Sequence, residues 1–313
     1  PIWLRPLQGP EALAQPIDPA DLPPAPDELQ PGSAVSVALA SGDVAVEATG
    51  TVTWRDAERL LAFGHPFLRA GATELFLTPA YVATVLPSRD MPMKVAFPVG
   101  DPLGSFVADR AAGLAGRVGA TPAACRVSLT VRDADLGRER TLTFDAVRDA
   151  KLVPTLVGAA LIQGLDEVMD REGEGGAELS WTLEADGLAQ PLRRDDLFYD
   201  EVDVVGEVVT GPLYGLERVL SNDFVALSPR RLDLRVEVRA ERRTTRLVAA
   251  RLVPATAGPG EVVSIDCTLQ PYRGQAYEQR LDLQLPADLA PGRLIVEIHG
   301  REAAGAESPP ASL

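Results

Sequence analysis

The chain has 313 residues, of which 46% are hydrophobic, and its 45 acidic and 30 basic residues give a formal net charge of -15. This length predicts more than one domain, because single hydrophobic cores stop growing at about 250–300 residues. The negative charge argues against a nucleic-acid backbone or an anionic membrane surface as the partner.

Residues 1–32 are crowded with proline and are predicted to form an extended linker. From Ala34 onward, short runs of alternating apolar and polar residues are separated by glycine, proline and aspartate, which is typical of a β-barrel or sandwich. The segment "WRDAERLLAF" at 54–63 predicts a hairpin that returns into a Gly-His-Pro corner at 64–66.

The middle of the chain contains the longest apolar stretch, at 152–165. It is too short to cross a bilayer, so we expect a core helix there and no transmembrane segment. The pattern predicts that this helix runs from about Val153 to Asp170, where charged residues and glycines end it. A strand is then expected at 200–211 and a short helix at 212–223.

The last part of the chain, 229–302, has strand-like runs at regular spacing with turn residues between them. This pattern predicts a small immunoglobulin-like β-sandwich. Residues 303–313 are small and polar and are predicted to be a flexible tail. The expected fold class is therefore mainly β, with a barrel or sandwich in a domain at 33–228, followed by the smaller sandwich, in which "GRLIVEIHG" at 292–300 is a strand.

Two cysteines, Cys125 and Cys267, lie far apart in strand-like segments, and we expect them to be buried free thiols. No cysteine or histidine spacing typical of a metal site occurs, so the sequence predicts no metal and no cofactor. The sequence begins at Pro1 without a methionine, from which we expect that the natural start was removed or lies upstream.

One of only two histidines in the chain lies in the Gly-His-Pro corner. A structural interpretation is that Gly64 permits a tight backbone, Pro66 fixes the next turn and His65 fills space. A functional interpretation is that the strand end presents the imidazole to a cleft as a general base. From the corner alone, the structural interpretation is favoured.

A wider set of segments changes that balance. These are the strand pair "GSAVSVALASGD", the hairpin "ATGTVTWRDAERLLAFGHPF" and the later "GSFVADRAAGLAGRVG". Over about residues 31–150 they resemble the SpoIVB-type serine peptidases, the sporulation signalling peptidases and their longer bacterial relatives. The resemblance implies a chymotrypsin-related β-barrel and makes His65 the catalytic base. A serine nucleophile needs such a base within hydrogen-bond reach, because serine alone reacts poorly at neutral pH.

The nucleophile of that family has no match here. It lies in a Gly-Met-Ser-Gly-Ser-Pro loop, which this sequence does not contain. Ser88, Ser105 and Ser228 are the remaining candidates, and none has the glycines of that loop. Ser88 and Ser105 are predicted to be turn residues, and Ser228 is predicted to start the last domain.

The acidic member of the triad has no clear match either. Asp43 and Asp56 are predicted to be turn formers. Asp109 stands beside Arg110 and is predicted to be a surface residue or part of a buried pair. None of the three is assigned to a triad.

Two explanations of the missing serine are open. In longer relatives the serine loop precedes the histidine corner, so this chain would be the part downstream of that loop, which is slightly preferred. Otherwise the protein never had the serine and is a non-catalytic relative.

The function predicted from the resemblance is the histidine-bearing part of a serine endopeptidase of the cell envelope. The chain alone is expected to be inactive, because a base without its nucleophile lacks covalent chemistry. The alternative is a non-catalytic peptidase-like scaffold or binding protein in an envelope assembly. A pair of carbohydrate-binding modules is a weaker hypothesis, since the three tryptophans do not cluster.

The expected partners follow from the same resemblance. They are a protein or peptide substrate, an envelope protein, or the chain's own upstream segment, and not a nucleic acid. The expected location is extracytoplasmic, in the periplasm or cell envelope.

Overall fold

A computed structural model describes residues 28–90 and 92–298 of the chain. Over these ranges the chain forms fifteen strands and two helices. In chain order the elements are β1 (Ala34–Gly42), β2 (Val46–Asp56), β3 (Arg59–Ala62), β4 (Gly71–Leu86), β5 (Met93–Pro98), β6 (Gly104–Arg110), β7 (Gly113–Val118), β8 (Ala124–Asp133), β9 (Arg138–Val147), α1 (Val153–Val168), β10 (Gly175–Asp186), β11 (Leu192–Asp200), α2 (Val204–Leu220), β12 (Ser228–Arg239), β13 (Thr245–Val253), β14 (Val262–Pro271) and β15 (Tyr277–Gln284).

Six strands form a closed antiparallel barrel in the order β1–β2–β3–β7–β6–β4, and β4 pairs back to β1. The closing pair sets Val37 opposite Leu77. Both side chains are buried together with Leu60, Phe106 and Leu114, so the interior of the barrel is a packed hydrophobic core. The predicted mainly β fold and its β-barrel are therefore confirmed.

The strand β4 continues beyond the barrel and pairs with β5 as a two-stranded ribbon. Lys94 on β5 reaches back to β2, where its Nζ atom lies 2.7 Å from Thr51 Oγ1 and 3.5 Å from Gly50 O. The ribbon is thus tied to β2, the first strand of the hairpin that leads into the histidine corner.

A second sheet of five strands has the order β11–β10–β12–β8–β9 and joins the barrel because β9 also pairs with β1. Helix α1 packs on β8 and β9 and against α2. Small residues allow this close packing: a Cβ atom at Gly164 would lie 2.9 Å from Val131, and one at Gly158 would lie 2.9 Å from Leu213. The predicted helix from Val153 is confirmed and ends at Val168.

The strand expected at 200–211 is wrong over most of its length, because α2 begins at Val204 and continues to Leu220. Pairs of valines gave this segment a strand-like composition. Its buried residues Val204 and Val208 nevertheless recur at helical spacing. Asp203 caps the helix, since its side chain accepts a hydrogen bond of 2.8 Å from Gly206 N.

The C-terminal sandwich was expected to begin at residue 229. Instead, β12 lies inside the second sheet, antiparallel to β10 and parallel to β8. Its alternation of buried Leu232, Leu234 and Val236 with charged residues is typical of a strand with one buried face. That pattern predicts a strand but not the sheet that the strand joins. Because β12 lies in the second sheet, Ser228 belongs to the barrel-linked part of the fold.

The C-terminal part of the described chain is a three-stranded antiparallel sheet in the order β13–β14–β15. Its central strand buries Val263, Ile265 and Cys267. The described residues form one layer, whereas a sandwich requires two. The strand predicted at 292–300 is not formed over 293–298, and this segment belongs to none of the sheets of the described residues.

The predicted linker and tail fall mostly on 1–27 and 303–313, outside the described residues. The end of the predicted linker is packed, however. Leu29 is fully buried, and its carbonyl accepts a hydrogen bond of 2.7 Å from Arg55 Nη1. The linker prediction is therefore wrong for residues 28–32, because an apolar side chain and a backbone acceptor anchor them to the barrel.

Candidate active site at the histidine corner

The backbone turns sharply where β3 ends. Phe63 and Gly64 both have positive φ angles, 75° and 73°. Such an angle is strained for a bulky residue such as phenylalanine and persists only where surrounding contacts enforce it. One such contact is backbone pairing, since Phe63 N donates a hydrogen bond of 3.0 Å to Thr51 O.

The Phe63 ring makes the second set of contacts that brace the corner, meaning that they hold its backbone in place. It lies over Gly50, where an added Cβ atom would be only 2.5 Å from the ring, and it packs edge-on against the buried Phe106 with centroids 6.1 Å apart. The same ring lies edge-on to the His65 ring, with the two ring centroids 5.7 Å apart. The sequence segments "ATGTVTW" and "AFGHPF" therefore interlock, because the glycine of the first makes room for the phenylalanine of the second.

The loop after the histidine is held by a carboxylate. Asp109 on β6 is buried and accepts hydrogen bonds from Phe67 N (2.9 Å), Leu68 N (2.6 Å) and Ala70 N (3.3 Å). Burial alone would raise the pKa of this carboxyl, but the backbone N–H donors of the loop hold it below its usual value. Asp109 is thus buried, and among the described residues its hydrogen-bond partners are backbone amides rather than the neighbouring Arg110.

The His65 side chain is exposed on this corner. Its Nδ1 atom lies 2.9 Å from Pro66 O. A carbonyl oxygen only accepts, so this contact assigns the proton to Nδ1. Within the described part of the chain, Nε2 has no hydrogen-bond partner, which leaves its lone pair available to a ligand.

The three candidate serines lie in different environments. Ser105 on β6 is buried, with its Oγ atom 3.5 Å from Phe106 O. Ser88 follows β4, and its Oγ accepts a hydrogen bond of 3.2 Å from Asp90 N. Ser228 opens β12 in the second sheet, away from the barrel strands. None of them is hydrogen-bonded to His65 in the described ranges.

The two other candidate acids have local roles at strand ends. Asp43 follows β1 and accepts hydrogen bonds from Thr143 N and Thr143 Oγ1, at 2.7 and 3.2 Å. Asp56 forms an ion pair of 2.7 Å with Arg59 in the turn between β2 and β3. Within residues 28–90 and 92–298, neither of these carboxylates is hydrogen-bonded to or ion-paired with the His65 ring.

Sequence reasoning singled out His65 as a candidate but did not identify the parts that Phe63, Gly50 and Asp109 play in the corner. The available signal for Phe63 was a bulky aromatic residue directly before a glycine at a strand end. No local signal marks Asp109, because it meets the loop across 39 to 42 residues of sequence.

Chemistry elsewhere in the described residues is limited. Cys125 and Cys267 are both buried and free, as expected, and burial raises the pKa of Cys125 to about 12. Across residues 28–90 and 92–298, no group of three or more histidine, cysteine, aspartate or glutamate side chains could hold a metal ion. Neither helix in these ranges is long and apolar enough to span a membrane.

Comparisons with known protein families, curated proteins and solved structures find no match to this chain. The fold and site thus define a mainly β protein with a closed six-stranded antiparallel barrel and an exposed histidine on a braced corner.

Proposed function

We propose that this chain carries the general base of a SpoIVB-like serine endopeptidase of the cell envelope, and that another polypeptide segment supplies the nucleophilic serine. The observation that carries the proposal is the state of the imidazole. His65 is exposed, its Nδ1 atom is engaged with Pro66 O, and its Nε2 atom has no partner among the described residues. A general base requires this arrangement: one nitrogen fixed by the protein and the other open to the substrate or nucleophile.

The surrounding architecture supports the same proposal. The chymotrypsin-related fold implied by the sequence motifs is an antiparallel barrel, and His65 directly follows a barrel strand, β3. The positive φ angle at Phe63 is strain of the kind that clusters at functional sites.

A second candidate function is a non-catalytic scaffold or binding protein in an envelope assembly. It is favoured by the ring contact itself, because Nδ1 meets a carbonyl oxygen rather than the carboxylate of a triad. We further propose that the three-stranded sheet is one layer of an immunoglobulin-like module, and its exposed Leu281 and Leu283 suit contacts with another protein surface. Under either function the partner is a protein or peptide outside the cytoplasm.

The test is a peptidase assay on the native polypeptide that contains this chain. His65→Ala is expected to lower kcat/KM by about 100-fold or more, since general acid–base catalysis contributes about 10²–10⁴-fold. The matched control is His299→Ala, which removes the only other histidine and should leave activity unchanged. Circular dichroism of both variants checks that folding is intact.

Equal activity of His65→Ala and wild type would contradict the peptidase function. The isolated chain is expected to resist labelling by a serine-directed fluorophosphonate. Labelling that disappears on replacing Ser88, Ser105 or Ser228 would mean that the nucleophile lies within this chain.

A further inference from the structure

Beside His65, the peptide unit between Pro66 and Phe67 makes a hydrogen bond through its carbonyl group and another through its N–H group. The Pro66 carbonyl lies 2.9 Å from His65 Nδ1, and the N–H group of the same peptide unit, that of Phe67, donates a hydrogen bond of 2.9 Å to Asp109 Oδ1. A chain of two hydrogen bonds therefore runs from the imidazole through one peptide group to a buried carboxylate.

The rest of the loop strengthens this connection. The other carboxylate oxygen, Asp109 Oδ2, accepts hydrogen bonds from Leu68 N and Ala70 N at 2.6 and 3.3 Å. Directly after these residues, Gly71 pairs with Asp109 itself across β4 and β6. Both oxygens are therefore committed to the loop, and the orientation of the Pro66–Phe67 peptide is fixed by its neighbours.

An ionised carboxylate is the side-chain group best suited to this position. It has only acceptors, with two oxygens that take several N–H donors at once. An asparagine would offer one accepting oxygen and would turn an NH₂ group toward the backbone donors. Hydrogen bonds linked in a chain also polarise one another, so a negative charge at one end strengthens the carbonyl as an acceptor at the other.

We propose that Asp109 is a positioning residue for His65, which it orients and holds in the Nδ1–H tautomer through the Pro66–Phe67 peptide. The carboxylate does not touch the imidazole. It fixes and polarises the carbonyl that accepts the Nδ1 proton, and Nε2 is thereby left as the open nitrogen. The catalytic use of that nitrogen rests on the proposed function, whereas the tautomer and its dependence on Asp109 do not.

The test uses histidine ¹⁵N–¹H nuclear magnetic resonance on the folded chain. With only two histidines in the sequence, the spectrum of His299→Gln assigns His65 directly. In the neutral imidazole of the wild type, His65 is expected to be the Nδ1–H tautomer. In Asp109→Asn, we expect a mixture of tautomers and at least about tenfold faster hydrogen exchange at Phe67 N and Leu68 N, because a charge-assisted acceptor is lost.

A matched control is available in the second sheet. Asp133 is also buried and also accepts two backbone hydrogen bonds, from Asp135 N (2.9 Å) and Leu136 N (3.0 Å). Asp133→Asn should disturb its own turn and leave the His65 tautomer unchanged. A change of the His65 tautomer in both variants would mean general destabilisation and would overturn the specific role of Asp109.

The wild-type protein gives a second reading if Asp109→Asn does not fold. Phe67 N and Leu68 N lie in a surface loop, yet they should exchange at least about tenfold more slowly than unprotected amides. Fast exchange at both amides, or an unchanged tautomer in a folded Asp109→Asn, would overturn the proposal. An inactive peptidase with the expected tautomer result would count against the proposed function and still support the positioning role.

Discussion

The barrel corner and the second sheet each bury an aspartate at a turn, and they satisfy its charge differently. At the corner, Asp109 accepts backbone N–H groups and makes no ion pair among the described residues. In the second sheet, Asp133 accepts two backbone N–H groups and is also paired with Arg171 Nη1 at 2.7 Å. The first arrangement fixes the orientation of backbone groups, whereas the second neutralises a charge inside a sheet.

The same contrast extends to the basic residues. Several arginines of the second sheet form ion pairs with carboxylates of the same sheet, including exposed pairs such as Arg126 with Asp145 at 3.1 Å. Around the corner, Arg69 and Arg110 make no ion pair within the described ranges and remain exposed. The second sheet thus pairs many of its charges with one another, whereas Arg69 and Arg110 at the corner carry positive charge without an ion-pair partner in the described ranges.

The largest expected effect comes from breaking the ion pair of the second sheet. Arg171→Met leaves the buried Asp133 carboxylate without its cation and should lower the free energy of unfolding by about 3–5 kcal/mol, since an uncompensated buried charge is costly. Urea denaturation of the chain measures this loss.

Two further variants sharpen that measurement. Arg171→Met combined with Asp133→Asn should recover much of the lost stability, because the buried charge is then absent. Arg193→Ala removes an exposed arginine whose partner Asp195 lies at 3.1 Å, and it should change stability by no more than about 1 kcal/mol. Equal losses for Arg171→Met and Arg193→Ala would contradict the distinction between buried and exposed pairs.

The next effect concerns the brace of the corner. In Gly50→Ala the new Cβ atom would lie 2.5 Å from the Phe63 ring, which must move and release the corner. We expect a loss of about 1–3 kcal/mol in the free energy of unfolding, as for other overpacked sites. Gly292→Ala is the control, because nothing lies within 4 Å of its added Cβ, and it should stay within about 0.5 kcal/mol of wild type.

The two glycine variants also separate stability from position. If the Phe63 ring holds His65 by its edge contact, Gly50→Ala should shift the His65 resonances, and Gly292→Ala should not. An unshifted His65 signal in a folded Gly50→Ala protein would show that the ring contact is incidental.

Alternation of apolar and polar residues was enough to predict the barrel strands and the hairpin before His65, because alternation is a local property of each strand. It does not depend on how far away the partner strand lies in sequence, as the pairing of β3 with β7 shows. The first half of α2 was missed, since paired valines favour a strand until Asp203 caps the segment and α1 packs against it. The position of β12 was missed because its partner β8 lies about a hundred residues earlier, and local patterning carries no information on such pairing.

The site shows the same limit. The Gly-His-Pro corner was visible as a local motif, but the carboxylate beneath it reaches the loop from another strand. Sequence proximity suggested a pairing of Asp109 with Arg110, and the fold instead turns the carboxylate toward backbone amides. A residue whose partners are backbone groups leaves no side-chain pattern by which one sequence alone could identify it.

The smallest expected effect concerns a third carboxylate, whose only side-chain partner among the described residues is a neutral hydroxyl group. Glu47 on β2 is half-buried and accepts a hydrogen bond of 2.7 Å from Ser36 Oγ. Burial raises the pKa of Glu47 above 4.5, and the Ser36 hydroxyl only partly offsets this effect. One hydroxyl therefore does less for a buried charge than the several amides at Asp109.

The raised pKa of Glu47 predicts how the free energy of unfolding changes with pH, and Glu47→Gln tests this prediction. Because the pKa of Glu47 is raised in the folded state, the carboxyl group of the unfolded chain loses its proton at lower pH than that of the folded chain. The free energy of unfolding of wild type therefore falls as pH rises from about 4.5 through the folded-state pKa. Glu47→Gln removes that loss and keeps an oxygen for Ser36. Its stability relative to wild type should rise between pH 4 and pH 7, by less than about 1 kcal/mol because solvent screens a half-exposed group. Urea denaturation at both pH values measures this difference, and the neutral control Thr53→Ser should shift stability equally at both. A relative stability of Glu47→Gln that falls as pH rises would mean that Ser36 and its surroundings favour the charged carboxylate, as the amides do at Asp109.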